Sequence, residues 1–178
     1  IISKYLVLSP KDLSEWANDP ESFARQVADV ESSPESDTPI HCGVALLQCL
    51  LERSDENVTN SLLGMASQLQ SQQPMTVENI LLKEAAYRAI GECFLHIRHK
   101  VNFNDWYKNE LRGILQQQQQ QQQDALGGVF SHDNIIKARA LWLIGVCGEE
   151  LLTDAWDEAF TLAVQYIQSP DLVQALQA

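Results

Sequence analysis

The stretch AYRAIGEC at residues 86–93 returns as ALWLIGVC at residues 140–147, 54 positions later in a chain of 178. The match extends upstream, with Leu81-Leu82-Lys83 over Ile135-Ile136-Lys137, and Ala86, Ile90, Gly91 and Cys93 recur as Ala140, Ile144, Gly145 and Cys147. A fixed offset implies a repeat architecture, and its length selects the kind. The interval spans eight glutamines at 116–123. Taking those away leaves 46, inside the roughly 40–47 residues of HEAT and armadillo helical hairpins. A weaker third copy lies 44 positions upstream, with Ala45, Leu46 and Cys49 in the slots of Ala89, Ile90 and Cys93. The expected fold is therefore all-α, a HEAT/armadillo-type solenoid of helical hairpins, with the glutamine run as an insertion.

Periodicity supports helices and gives no sign of the period-two alternation of strands. Trp156, Ala159, Phe160, Ala163, Val164 and Ile167 follow helical spacing and predict one buried stripe on a helix over 153–168. The preceding helix, roughly 134–152, is apolar nearly all round, as for a helix sandwiched between neighbours. Upstream the pairing recurs. A helix over 77–97 is followed by the stripe Phe103, Trp106, Tyr107, Leu111 and Ile114, and a helix over 39–53 by Val58, Leu62, Met65, Ala66 and Leu69.

Hairpins are thus expected over 39–73, 76–115 and 131–168, with short helices over 1–29 broken at Asp19-Pro20. An acidic, solvent-exposed loop is expected over 30–38, a Gln-rich insertion ended by Gly127-Gly128 over 116–130, and the start of a further repeat over 169–178. Ser9-Pro10, Thr38-Pro39 and Ser169-Pro170 each read as an N-cap followed by proline at the first helical position. Gly91 and Gly145, inside helices, predict close approach between packed helices. The chain has no initiator methionine and starts within an apolar segment, so a piece of a longer protein is expected.

Charge narrows the function. Twelve basic residues against 24 acidic ones give a net charge of −12. Such a surface repels phosphate backbones and attracts basic partners. No apolar run approaches the roughly 18 residues of a membrane helix. The four cysteines form no CxxC pair, and three share one helical slot, which predicts buried thiols in a reducing compartment. Cys93, His96 and His99 diverge by about 120° around a helix axis and make a poor metal site. No phosphate loop, nucleophile elbow or HExxH is present. The chain is not expected to be an enzyme, and no cofactor is expected. Acidic residues are the remaining candidates: Asp154, Glu158 and Asp157, on the helix over 153–168, would face a partner if that helix lines the binding wall of the stack. The other reading of each is a solvated helix face.

YLVLSPKDLSEWANDPESF, LLKEAAYRAIG, FNDWYKNEL and ARALWLIG, in this order, resemble the middle segment of an importin-beta (karyopherin) family nuclear transport receptor, nearest its importin-eleven-like branch. The motif at 13–23, combining acidic residues, tryptophan, Asp-Pro and phenylalanine, carries the likeness together with the aromatic FxxWY helix; the glutamine tract and VESSPESDTP depart from the family pattern. The resemblance implies import of basic protein cargo through the nuclear pore and shuttling between cytoplasm and nucleus. It also implies regulation by the GTP-bound small GTPase Ran, mainly through regions outside this segment, and contacts with Phe-Gly nucleoporins. A HEAT scaffold outside transport and an export receptor of the same superfamily remain alternatives.

Overall fold

A computed structural model describes residues 1–29, 38–53, 55–71, 76–116 and 132–178. The acidic loop, the body of the glutamine run and Gly127-Gly128 lie outside the described residues, among which there is no strand. After a π-helical turn at Ile2–Leu6 come α1 (Pro10–Asn18) and α2 (Pro20–Asp29), then α3 (Pro39–Arg53) and α4 (Asp55–Ser71). A second hairpin follows. Its first arm is α5 (Val77–Glu92) with the short α6 (Phe94–Ile97), and its second runs from α7 (Phe103–Trp106) through a π turn at Tyr107–Leu111 into α8 (Arg112–Gln116). The third hairpin is α9 (His132–Cys147) and α10 (Thr153–Tyr166), and α11 (Leu172–Gln177) closes the described chain.

The helices stack as a segment of an all-α solenoid. α3, α5, α9 and α11 lie side by side, and α4, α7–α8 and α10 form the second arms. The N-terminal segment covers the first arms. The Ile2–Leu6 turn packs on α3 and α5, while α2 packs on α11, and Trp16 and Phe23 join Ile135, Ala138 and Val173 in one apolar cluster. This explains why α5 and α9 carry almost no polar face. Every residue from 83 to 91 is buried, as are 134–141.

The repeated octets hold equivalent places. Cys93 and Cys147 both sit at the ends of first-arm helices with nearly the same backbone, φ −104°, ψ 9° and φ −110°, ψ 4°. Both thiols are buried, and burial pushes each up to about 12, so neither is a thiolate at neutral pH. The third copy does not hold. Ala45, Leu46 and Cys49 are exposed, and α3 instead buries Gly43, Val44, Leu47 and Leu51. The N-terminal turn sets that face: a Cβ on Gly43 would come within 2.6 Å of Leu6 and 2.9 Å of Tyr5.

The same test separates the two matched glycines. A Cβ on Gly91 would lie 2.2 Å from the Trp142 ring, so α5 and α9 approach closely there. Gly145 has nothing within 4 Å and faces solvent, contrary to the expectation of a close contact.

Caps account for the ends. Ser9 accepts from the Asp12 amide at 3.3 Å while Asp12 accepts from the Ser9 amide at 2.6 Å, a reciprocal capping box. Asp19 ends α1 and its carboxylate accepts from the Ser22 amide at 3.1 Å, so the break at Asp19-Pro20 starts α2. Thr38 caps α3 through the His41 amide. Ser169-Pro170 does not start a helix. Asp171 caps α11 instead, accepting from Val173 and Gln174, because its carboxylate is held by the Asn134 side chain at 2.9 Å.

One buried ionic cluster links the second hairpin to the third. Glu84 Oε1 accepts from Arg88 Nη2 at 2.9 Å and from Arg139 Nη2 at 2.7 Å, and all three residues are buried. Burial alone would raise the Glu84 carboxyl, but the two guanidiniums hold it below its ordinary value. Arg139 also stacks over Trp142, 4.5 Å from the ring centroid. Removing the central charge strands two guanidiniums. Glu84→Gln is therefore expected to destabilise the chain by about 3–5 kcal/mol in urea denaturation. In the same assay Gly91→Ala should lose about 1–3 kcal/mol by overpacking, whereas Gly145→Ala should gain up to about 1 kcal/mol.

Candidate partner-binding surface

α10 decides which surface the last hairpin offers. Its buried positions are Ala155 and Ala159, flanked by the half-buried Leu162, Ala163 and Tyr166. The stripe expected to be buried turns largely outward: Trp156 is 44% exposed, Phe160 61%, Val164 47% and Ile167 58%. Gly148, just past α9, has the Trp156 ring 2.5 Å from where a Cβ would stand. Periodicity finds an apolar stripe but not which of two adjacent stripes faces inward. Leu172 and Leu176 extend the exposed apolar surface, while Val173 is buried at 2%.

The acidic side of α10 is a lateral seam. Asp154 pairs with Lys108 at 3.3 Å and Glu158 with Arg112 at 3.6 Å. Gln116 also donates to Glu158 at 3.2 Å. Asn104 accepts from the Leu152 amide, and Tyr166 donates to the Leu115 carbonyl at 2.8 Å. Thus Lys108 and Arg112, one turn apart, meet Asp154 and Glu158, also one turn apart. That matched spacing was legible in the sequence as complementary charge, and only the register of the two helices was missing. The Lys108 hydrogen bond holds the fully exposed Asp154 carboxyl below its ordinary range. Exposed pairs of this kind contribute little to stability, and they orient neighbours rather than hold them together.

Asp157 is different. It is exposed and makes no ion pair with a described residue. Glu149 and Glu150 are exposed at the turn that precedes α10. The outward charge of this hairpin is therefore acidic beside an apolar stripe.

Elsewhere the described residues offer no group of His, Cys, Asp and Glu that could hold a metal ion, and none of their helices is long and apolar enough to cross a membrane. The aromatics of the second hairpin are structural. Phe103, Tyr107 and Leu111 are buried, and Trp106 meets Tyr87 edge-on at 5.0 Å.

Human importin-11 is 28% identical to the chain over 148 residues, which is 82% of this chain and 14% of the relative; mouse importin-11 is 28% identical over 150 residues with the same coverage. The chain is similar to a segment of importin-11. No protein-family model matches it, and no solved structure matches it. The resemblance to the importin-beta family read from the residues stands in these alignments. The chain spans about a seventh of the length of its importin-11 relatives.

An exposed stripe of this size on one helix favours association in water. Sedimentation of the 178-residue chain is expected to show concentration-dependent self-association, and Phe160→Ser to weaken it with helicity unchanged. A clean monomer at all concentrations would contradict this.

Proposed function

We propose that the chain is a segment of a nuclear import receptor that carries basic protein cargo, with binding controlled by Ran-GTP and passage through the pore aided by Phe-Gly nucleoporins. The observation that carries this reading is the importin-11 alignment across 82% of the chain, placed on a stack of helical hairpins. Charge agrees with it. A net charge of −12 favours basic partners, and electrostatic attraction raises their rate of encounter. Within this segment the partner-facing acids of the proposal are Asp157 first, then Asp154 and Glu158, whose carboxylates also serve the seam with Lys108 and Arg112. The receptor so described is a carrier rather than an enzyme and shuttles between cytoplasm and nucleus.

The test is capture of cargo by the full-length protein with and without Ran-GTP. Release of bound protein by Ran-GTP is the expected result, and retention that requires Ran-GTP would mark an export receptor and overturn the proposal. Asp157→Lys should weaken capture of basic cargo several-fold at low salt, with the difference shrinking as salt screens the surface.

A further inference from the structure

We propose that Asp154 and Glu158, with Asp157 beside them, form a docking ladder for a partner helix that carries cationic side chains four residues apart, and that Lys108 and Arg112 occupy this ladder until such a partner displaces them. The proposal rests on the basic-partner reading above. It adds which element of the partner is recognised and what competes with it.

The chain itself shows what these carboxylates take. Lys108 and Arg112 stand four residues apart on the second arm of the second hairpin, and Asp154 and Glu158 stand four apart on α10. Side chains at that interval share one helix face, about 5–6 Å apart. The two rungs close at 3.3 Å and 3.6 Å. Lys100 with Glu56, the other exposed pair between hairpins among the described residues, is a single rung.

Exposure decides which of these links can be exchanged. The Arg139 to Glu84 link between the same two hairpins is sealed from water. The Asp154 side chain is 75% exposed and those of Lys108, Arg112 and Glu158 are each more than a third exposed or close to it, so a cation from solution reaches both rungs. Exposed pairs of this kind resist exchange only weakly. Asp157 is exposed and makes no ion pair with a described residue, so it offers a first contact without competition. A single cation opens one rung and leaves the other closed. Cations at helical spacing exchange both rungs together, and the resident pair thereby discriminates against scattered charge. Gln116 donating to Glu158 and Tyr166 donating to the Leu115 carbonyl keep α8 and α10 together while the charges exchange.

The experiment titrates the full-length protein at low salt with fluorescent helical peptides of alanine and lysine and reads binding by anisotropy. One peptide carries its lysines at four-residue intervals along one face; an isomer of the same composition scatters them round the helix. The first should bind several-fold tighter than the isomer. Lys108→Met with Arg112→Met should tighten it several-fold further, because the competitors are gone and exposed pairs contribute too little for the fold to suffer. Lys4→Met with Lys11→Met, which removes the same charge from exposed positions elsewhere, should change it far less. Adding Asp154→Asn and Glu158→Gln to the first double should cancel the gain. A gain no greater than that of the Lys4 and Lys11 double would overturn the proposal, as would equal binding of the two peptides or binding of neither. Release of cargo by Ran-GTP is read separately, so the transport reading and the ladder fail on different results.

Discussion

A helix that is apolar on nearly every side must be covered on nearly every side. α5 and α9 are such helices, and the rest of the structure follows from their need for neighbours. Each is flanked by another first arm, backed by second-arm helices, and capped by the N-terminal segment on the remaining face. Apolar burial of this extent is the main favourable contribution to folding, and it is additive from hairpin to hairpin along a stack. The Glu84 cluster adds specificity to it. One carboxylate between Arg88 and Arg139 fixes how α5 meets α9, since any slip would leave a buried guanidinium without its partner.

The stack also sorts charge. Where second arms run alongside one another, Lys108 and Arg112 meet Asp154 and Glu158, so part of the acidity counted in the sequence is used between neighbours. What remains outward on the last hairpin, Asp157 with Glu149 and Glu150, lies beside an apolar stripe. By charge, acidic and apolar surface side by side suits basic protein segments better than it suits phosphate.

Much of this was legible before any coordinates. The 54-residue echo located two equivalent first arms, and the aromatic stripe of Phe103, Tyr107 and Leu111 was read on its buried side. Capping at Ser9 and Thr38 was equally visible, because a side chain acting on its own helix needs only local spacing. The failures share one cause. Ala45, Leu46 and Cys49, Gly145, the Trp156 stripe and Ser169-Pro170 were each assigned by analogy or local pattern. Each outcome was set by a distant element: Leu6 against Gly43, open space beside Gly145, Gly148 beneath Trp156, and Asn134 holding Asp171.

The sequence by itself determined that this chain is helical, repetitive and acidic, because periodicity, caps and net charge are properties of neighbouring residues and of sums. Tertiary structure alone decided which flank of α10 faces water and which carboxylates are spent on the adjoining hairpin. Those outcomes depend on the register between helices some 46 residues apart, as in the Lys108 to Asp154 pair. One helical turn of slip there changes every partner while leaving the local pattern the same.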